Sequence, residues 1–275
     1  MIKVKEFPNC KINLGLRVVR KREDRYHDLD TVFYPVYDLH DELEVEKADT
    51  LIFEQEGIAV DCVPEDNLII KCYRLLANKY PQIGGVRIRF KKNIPFGAGL
   101  GGGSSDAAHM AIALNKLFDL GLSKEQLAKE VRLLGADCPF FIYNTPCHAE
   151  GIGDILTPID FSLSGWRLVM IKPNVAVSTR EAYSGLTPSG KLLPDIANWK
   201  TYINDFETTV FAAHPVLGQI KQRLLDAGAV YAAMTGSGST IYGLFENNTE
   251  STTLSYLRSL EEEFASMIIF NNTLR

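Results

Sequence analysis

A glycine-rich segment in the first half of the chain has the residue types of a phosphate-binding loop. Glycine permits positive φ and lets the backbone approach a ligand without a Cβ in the way. An Ala-rich run follows directly, and the start of a helix there adds unpaired N–H groups and a partial positive charge. We therefore interpret the segment as a phosphate cradle rather than a flexible linker. Its residues are Pro95, Phe96, Gly97, Ala98, Gly99, Leu100, Gly101, Gly102, Gly103, Ser104 and Ser105.

Two common phosphate-loop motifs disagree with this segment. A Walker A loop needs a lysine before its Ser or Thr, and no lysine precedes Ser104. Residues 97–102 match G-x-G-x-x-G, but that fingerprint follows a buried parallel strand and is answered by an acidic residue after the next strand. Residues 86–90 instead alternate apolar and basic side chains, and Asp119 ends a helix. A dinucleotide oxidoreductase is therefore the weaker interpretation.

The elements that must position this loop are short strands and helices. Helix 123–135 is opened by the capping box Ser123–Gln126 and closed by Gly135. The first half predicts strands at 2–7, 13–20, 30–36 and 41–46, a small hairpin over 51–60 about Gly57, helix 67–80, strand 86–90, helices 104–118 and 123–135, and strands 139–143 and 147–150.

The second half of the chain has a different order of elements. Apart from helical segments at 179–185 and 200–212, the order is β-α-β-β-α-β, which is the split βαβ of ferredoxin-like domains. We place the domain boundary near 158–166, which divides the chain into residues 1–160 and 161–275. The elements are strand 167–172, helix 215–227, strands 229–234 and 239–245, helix 251–264 and strand 267–270.

Composition bounds the class of protein. The chain has 275 residues and a net charge of −5, which argues against a nucleic-acid partner. Its five cysteines are odd in number and form no C-x-x-C pair, which favours reduced thiols and no metal site. There is no signal-peptide-like start and no run of 18 apolar residues, so we expect a cytoplasmic protein without a membrane partner. The basic cluster at residues 17–25 indicates a solvated hairpin tip, or else a surface near an anionic substrate.

The glycine-rich segment and four other motifs resemble the GHMP kinases. Pro-x-Gly-x-Gly-Leu-Gly-Gly-Gly-Ser-Ser before an Ala-rich helix is similar to the central motif of that family. The other matches occur in the expected order between residue 8 and about residue 245, so the resemblance spans nearly the whole chain. They are Lys11-Ile12-Asn13-Leu14-Gly15-Leu16, Arg25-Tyr26-His27, Gly135-Ala136-Asp137-Cys138-Pro139-Phe140-Phe141 and Thr235-Gly236-Ser237-Gly238-Ser239-Thr240.

The resemblance implies an α+β, two-domain GHMP kinase fold. It implies a ribosomal-S5-like N-terminal domain, a ferredoxin-like C-terminal domain and an active site in the cleft between them. The motifs carry over Lys11 and Asp137 as the catalytic pair. An unperturbed aspartate, with a pKa of about 3.9, is a weak base, but it can accept a proton as the transition state forms. The chain departs from the family at Pro8-Asn9-Cys10-Lys11, which has one extra residue and Cys in place of Ala.

Binding residues also follow from the resemblance. ATP would be held by the loop, with Asn67 and Lys92 at the adenosine, and Mg²⁺ would accompany its phosphates near Ser104 or Ser105. From the residues alone, Asn67 is equally a helix cap, Lys92 an exposed strand-end lysine, and each serine an N-cap. The residues implied for the substrate are Asn13, Tyr26, His27, Asp137, Thr179, Tyr183, Gly236, Ser237 and Gly238.

The implied activity is ATP-dependent phosphorylation of the 2-hydroxyl of a cytidine diphosphate-linked methylerythritol in non-mevalonate isoprenoid synthesis. The Tyr-His motif and Tyr183 favour this substrate, because small acyclic substrates need no pair of rings for base stacking. The alternatives are a mevalonate-type or homoserine-type kinase of the same family, or a non-catalytic nucleotide sensor on the same fold. We expect a monomer or a weak dimer.

Overall fold

The computed structural model describes residues 2–59, 63–246 and 251–275, without the side chains of Pro64 and residues 251–257. The strands are β1 (Lys3–Glu6), β2 (Asn9–Lys21), β3 (His27–His40), β4 (Glu42–Lys47), β5 (Ile52–Gly57), β6 (Val86–Lys92), β7 (Cys147–Gly151), β8 (Ile155–Pro158), β9 (Arg167–Ile171), β10 (Tyr231–Met234), β11 (Ile241–Phe245) and β12 (Ile268–Thr273). The helices are α1 (Leu68–Lys79), α2 (Gly102–Leu117), α3 (Lys124–Val131), α4 (Cys138–Tyr143), α5 (Thr179–Tyr183), α6 (Phe206–Ala213), α7 (Pro215–Asp226) and α8 (Ser251–Phe264).

The chain divides into two compact units that interleave along the sequence. The first unit comprises Met1–Lys11, Pro35–Phe96 and Gly101–Thr145. The second comprises Ile12–Tyr34, Gly97–Leu100 and Pro146–Arg275. The single sequence-based boundary at residue 160 stays a prediction.

The first unit is a four-stranded sheet with helices α1 to α4. The strand order is β1-β4-β6-β5, and only the β5–β6 pair is parallel. In β6, the apolar residues Val86, Ile88 and Phe90 are buried and the alternate basic residues are partly exposed, as the alternation in the sequence predicts. The predicted capping box is confirmed, because the Ser123 hydroxyl and the Gln126 side chain each accept from the other's backbone N–H.

The ferredoxin-like order predicted for the second half of the chain is confirmed by a sheet of the second unit. Strands β10-β11-β9-β12 lie in that order and every neighbouring pair is antiparallel. Leu217, Ile220 and Leu224 recur at helical spacing along α7 and are buried in the core of this unit. A further sheet, in the order β2-β3-β7-β8, has its β3–β7 and β7–β8 pairs in the same unit.

Two predicted elements are wrong. Residues 139–143 form helix α4 instead of a strand, because Pro139 suits the first turn of a helix and the apolar residues 140–142 are buried on nearly all sides. Residues 51–60 form no hairpin over the described positions: β5 is a single strand that pairs in parallel with β6, and Val60 lies outside the described residues. An apolar run of four or five residues has no period that distinguishes strand from helix.

The described helices include none that is both long and apolar enough to cross a membrane. The tip of the basic hairpin between β2 and β3 is exposed and its charges pair locally, whereas Arg17 of the predicted cluster is mostly buried and pairs with Asp205. Arg20 and Arg22 both contact Asp28, and Arg22 also contacts Asp24. These contacts favour the interpretation of a solvated hairpin tip.

Candidate active site

The glycine-rich segment ends by opening helix α2. Gly101 is the N-cap residue, with φ +69°, and no side chain caps the helix. The first intrahelical bond runs from the Ser105 N–H to the Gly101 carbonyl at 2.9 Å. The preceding N–H groups of the first turn therefore have no partner within the helix, which is the arrangement that binds anions.

Two glycines of the segment are required by close approach. A Cβ on Gly99 (φ +75°) would lie 2.1 Å from the carbonyl oxygen of Thr235, in the second unit. A Cβ on Gly101 would lie 2.9 Å from Phe141 Cζ and 3.2 Å from Lys11 Cε, in the first unit. The glycines thus let the backbone run directly against Thr235 and against the end of the Lys11 side chain.

Lys11 and Asp137 form an ion pair in the first unit. Lys11 Nζ lies 3.6 Å from Asp137 Oδ2, and the two side chains are 4% and 34% exposed. Burial lowers the pKa of Lys11, while the charge and hydrogen bond of Asp137 oppose that shift. The ammonium therefore depends on Asp137 to stay charged, and both groups lie beside the helix-opening turn at Gly101.

Asp137 is positioned by the short helix that follows it. It is the N-cap residue of α4, and the buried side chains of Phe140 and Phe141 anchor that helix. The two serines of the loop differ in their contacts. Ser104 forms a hydrogen bond with the buried thiol of Cys138, next to Asp137, whereas the Ser105 hydroxyl is buried against His109 Nδ1 at 3.3 Å. Neither serine is the N-cap of α2.

The predicted adenosine contacts have structural roles of their own. Asn67 caps α1, with its side-chain oxygen accepting from Ile69 N at 2.9 Å. Lys92 is buried rather than exposed, and it pairs with Asp41 and Asp106. Phe96, at the start of the loop, is exposed.

In the second unit, Asn13 and Thr235 hold one another. The Asn13 N–H donates to Thr235 Oγ1 at 3.0 Å, and Asn13 Nδ2 donates to Thr31 Oγ1 at 2.9 Å. Thr235 Oγ1 also contacts Asn13 Oδ1 at 3.3 Å and the Gly99 carbonyl at 3.1 Å. The hydroxyl of Thr235 thus joins the predicted substrate contact Asn13 to the first half of the glycine-rich segment.

The predicted base-binding residues include a stacked pair of rings. The rings of His27 and Tyr183 lie 4.4 Å apart at an interplanar angle of 17°. Tyr183 also packs edge-on against Phe206, while Tyr26 is 60% exposed. Burial lowers the pKa of His27, and the charge of Lys21 acts in the same direction. Thr179 is the first residue of α5, which ends at Tyr183.

The turn between β10 and β11 contains Gly236, Ser237 and Gly238. Asn204 Nδ2 donates to the carbonyls of Met234 and Gly236, both at 2.8 Å, and so holds one side of the turn. Sequence reasoning named Thr235 only as the start of a motif, and it missed Asn204, together with Asp41 and Asp106 in the first unit. For Asp106 the available signal was its position directly after the loop, whereas Asp41 and Asn204 are distant in sequence and carried none.

Two family models match separate parts of this chain. The family model described as the GHMP kinases N terminal domain matches residues 67–145, and that described as GHMP kinases C terminal matches residues 189–259. The chain belongs to the GHMP kinases, and the two-domain α+β fold that the motifs implied is confirmed.

Similar curated proteins have a more particular name. A protein of Bacteroides fragilis named 4-diphosphocytidyl-2-C-methyl-D-erythritol kinase is 46% identical over 265 residues, covering 91% of this chain and 95% of that protein. A protein of Bacteroides thetaiotaomicron with the same name is 49% identical over 252 residues, covering 87% of this chain and 91% of that protein.

Solved structures of GHMP kinases are also similar to this chain. A 4-(cytidine 5'-diphospho)-2C-methyl-D-erythritol kinase structure superposes with a TM-score of 0.81 at 33% identity and covers 96% of each chain. The Methanococcus jannaschii mevalonate kinase has a TM-score of 0.68 at 15% identity, covering 100% of this chain and 98% of that chain. The second likeness supports the shared fold alone.

Proposed function

We propose that this chain is a small-molecule kinase that transfers the γ-phosphoryl group of ATP to the 2-hydroxyl of 4-diphosphocytidyl-2-C-methyl-D-erythritol. The product is the 2-phosphate, an intermediate of non-mevalonate isoprenoid precursor synthesis. The observation that carries the proposal is the Lys11–Asp137 pair beside the helix-opening turn at Gly101. The similar curated proteins supply the substrate, since their name states it.

Asp137 has the chemistry of the proton acceptor. The acceptor oxygen forms a bond to the γ-phosphorus while the bond from that phosphorus to the bridging oxygen breaks and ADP leaves. The hydroxyl proton is released in this step, and a carboxylate within hydrogen-bond reach takes it. Asp137 is the more exposed member of the pair, with 34% of its side chain accessible, so its carboxylate is open to a substrate.

Lys11 supplies the positive charge. Its ammonium is almost fully buried, so an interaction with a developing alkoxide or a phosphate oxygen is less screened than in water. Burial lowers the pKa of Lys11 and Asp137 opposes the shift, so the two residues act as one unit. A nucleotide sensor without catalysis has no need for such a pair, which favours an enzyme.

We propose that Mg²⁺ binds together with the phosphates of ATP rather than at a site formed by the protein alone. The described residues contain no group of three His, Cys, Asp or Glu side chains able to hold a metal ion. Kinases hold Mg²⁺ largely through phosphate oxygens, with one or two protein ligands. Ser104 is the candidate ligand, because its hydroxyl forms a hydrogen bond with the thiol of Cys138, the residue after Asp137. When bound, the ion offsets the charge of the triphosphate.

The cytidine end is proposed for the second unit. The stacked rings of His27 and Tyr183, with exposed Tyr26 next in sequence, offer faces for stacking and polar edges for hydrogen bonds. Base stacking on an aromatic ring contributes about 1–3 kcal/mol. Asn13 and the turn of Gly236, Ser237 and Gly238 are proposed to contact the rest of the substrate, with Thr179 and Tyr183 from α5.

A direct comparison of substrates tests the function. The full chain is supplied with ATP, Mg²⁺ and either the cytidine diphosphate-linked methylerythritol, mevalonate or homoserine, and ADP release is measured. We expect turnover with the cytidine-linked alcohol alone. Turnover only with mevalonate or homoserine would reject the proposed substrate and keep the family, whereas ATP binding without turnover on any alcohol would favour a sensor.

The remaining proposals concern the setting of the reaction. We propose a cytoplasmic enzyme without nucleic-acid or membrane partners, present as a monomer or weak dimer, with its division at residues 1–160 and 161–275. The net charge of −5 supports the absence of a nucleic-acid partner, because nucleic-acid binding requires a basic field. Light scattering of the purified chain measures the oligomeric state.

A further inference from the structure

Three ionisable side chains are buried together in the first unit, next to the start of α2. Lys92 Nζ donates to Asp41 Oδ2 at 2.5 Å and to Asp106 Oδ2 at 2.7 Å. The exposed fractions of the three side chains are 2% for Lys92, 0% for Asp41 and 7% for Asp106. Buried charges are costly unless they are paired, so this cluster calls for a specific role.

Asp41 holds the backbone at the N-terminal end of the glycine-rich loop. Its Oδ1 accepts from the backbone N–H of Asn93 at 2.6 Å and of Ile94 at 2.8 Å. Asn93 Nδ2 in turn donates to the His40 carbonyl at 3.0 Å. Asn93 and Ile94 directly precede Pro95, so one buried carboxylate fixes where the loop leaves β6.

Lys92 and Asp106 hold the C-terminal end of the same loop. Asp106 follows Ser105 within the first turns of α2. A Cβ on Gly102 would lie 3.2 Å from Lys92 Nζ, so the ammonium packs against the first residue of the helix. The cluster therefore connects both ends of the loop through a single ammonium group.

The cluster is electrically balanced when Asp106 carries a proton. One ammonium and two carboxylates would leave a buried net negative charge beside the turn that is to bind a triphosphate. Asp106 Oδ1 is buried and, among the described residues, has no hydrogen-bond donor. Burial raises the pKa of Asp106 well above its usual value, the charge and hydrogen bond of Asp41 act in the same direction, and Lys92 opposes. In the protonated form, Asp106 is able to donate to Asp41 while its Oδ2 accepts from Lys92.

We propose that Asp41, acting through Lys92 and Asp106, is a positioning residue that sets the spacing between the two ends of the triphosphate loop. This inference rests on the proposed function, because it assumes that the loop binds ATP. Asp41 is fully buried and therefore acts on the ligand through the backbone it holds. A shift of about 1 Å in positioning groups can lower the rate by about 10²-fold.

Two isosteric substitutions separate this role from a simple need for buried charge. In Asp41→Asn, only one side-chain oxygen remains, and it cannot accept both from the two backbone N–H groups and from Lys92. The new NH₂ group then faces another hydrogen-bond donor in place of an acceptor. In Asp106→Asn, the amide oxygen accepts from Lys92 and the amide N–H donates to Asp41, as the protonated acid does. We expect Asp41→Asn to raise the Kd for the ATP analogue AMP-PNP about tenfold or more. Asp106→Asn should stay within about twofold of the unchanged chain.

The control is Glu130→Gln, which alters a buried carboxylate of the same unit. Glu130 is 5% exposed and accepts from Lys79 Nζ at 2.5 Å and from the Tyr80 hydroxyl at 3.1 Å, away from the loop. We expect this variant to lose thermal stability without a change in nucleotide affinity. Calorimetry on the full chain gives the Kd, and steady-state kinetics give KM for each substrate. Asp41→Asn should raise KM for ATP and leave KM for the acceptor alcohol unchanged.

Each outcome decides the inference. Unchanged AMP-PNP affinity in folded Asp41→Asn overturns it, as does an Asp106→Asn variant weakened as much as Asp41→Asn. If Asp41→Asn does not fold, Asp106→Leu replaces it, since leucine removes both hydrogen bonds of Asp106. Weaker binding by Asp106→Leu than by Asp106→Asn then supports the inference, and equal affinity of the two overturns it. Absence of AMP-PNP binding by the unchanged chain contradicts the proposed function instead.

Discussion

At the scale of single residues, the pairing of Lys11 with Asp137 dominates the chemistry. An acid alone at pH 7 is a poor base for an alcohol, and a buried lysine alone tends to lose its proton. The carboxylate, 3.6 Å away, keeps the Lys11 ammonium charged against the effect of burial, and the ammonium places a positive charge beside the proton acceptor. Loss of Asp137 should therefore remove the proton acceptor and also the charge that keeps Lys11 protonated.

The substitution Asp137→Asn tests this pair. The amide cannot accept the hydroxyl proton, and without the carboxylate the pKa of Lys11 falls further because burial is then opposed by less charge. We expect kcat to fall by about 10²-fold or more, with the Kd for AMP-PNP nearly unchanged. The control is Asp226→Asn, at a carboxylate that bonds only Gln222 among the described contacts. Unchanged turnover in Asp137→Asn would remove this residue from the mechanism.

His148 provides a prediction on pH and stability. A hydrogen bond from its Nε2 to Asp30 raises the pKa of His148, burial opposes, and the charges of Asp30 and Glu150 add to the rise. Since the pKa in the folded chain lies above the unfolded value of about 6.5, the pair stabilises the fold fully below that pH. The contribution is lost as pH rises through the folded pKa.

Thermal melts of His148→Gln at two pH values measure this effect. We expect the Tm deficit of the variant, relative to the unchanged chain, to be larger at about pH 5.5 than at about pH 8.5. Asp30→Asn should reduce the same pH dependence, because it removes the partner that raises the pKa of His148 most. A deficit that grows toward alkaline pH would contradict the assigned direction.

At the scale of elements, the glycine-rich segment can be tested with two matched glycines. Gly97 and Gly99 both have positive φ, +61° and +75°, and both belong to the second unit. A Cβ on Gly97 meets nothing within 4 Å, whereas a Cβ on Gly99 would lie 2.1 Å from the Thr235 carbonyl oxygen. Gly97→Ala therefore introduces left-handed strain alone, and Gly99→Ala adds a backbone clash.

We expect Gly97→Ala to lower the free energy of unfolding by about 1–2 kcal/mol, the cost of a left-handed residue with a Cβ. Gly99→Ala should cost more, because the backbone of Thr235 must move, and Thr235 also binds Asn13. Urea unfolding of both variants gives the comparison. Equal destabilisation of the two variants would mean that the approach of Gly99 to Thr235 is relaxed without consequence.

Sequence reasoning predicted those elements that have a clear period or cap. Alternation gave β6, the Ser123 capping box gave α3, and helical spacing with Gly228 gave α7. It failed at residues 139–143, where five consecutive residues offer no period and burial on all sides removes the polar face. It also failed at β5, since a parallel partner distant in sequence leaves no local signal.

The residues of the candidate site were likewise predictable only where they occur in a sequence motif. Lys11, Asp137 and the glycine-rich segment could be named because each occurs in a motif, and the structure brings Lys11 and Asp137 beside Gly101 in the first unit. Asp41 and Thr235 act on that segment from positions far along the chain, through hydrogen bonds that only the fold creates. The burial of Lys92 was likewise hidden, because an ion pair with Asp41 joins residues 51 positions apart.

At the scale of the whole molecule, the proposed two-substrate reaction predicts separable defects. The proposed base-binding rings belong to the second unit, and Lys11 and Asp137 belong to the first. A kinase for a cytidine-linked alcohol should lose affinity for that alcohol when its stacking ring is removed, while a kinase for mevalonate or homoserine should not. The ring to remove is Tyr183, which stacks on His27.

We expect Tyr183→Ala to raise KM for the cytidine-linked alcohol about tenfold, as loss of one stacking contact implies, with KM for ATP unchanged. Tyr183→Phe is the matched control, because it keeps the ring and its contacts with His27 and Phe206. A thermal melt of each variant ensures that the loss of packing against Phe206 has not unfolded the chain. If folded Tyr183→Ala keeps both KM values, base stacking at this ring is excluded, and the preference over mevalonate and homoserine must come from other residues.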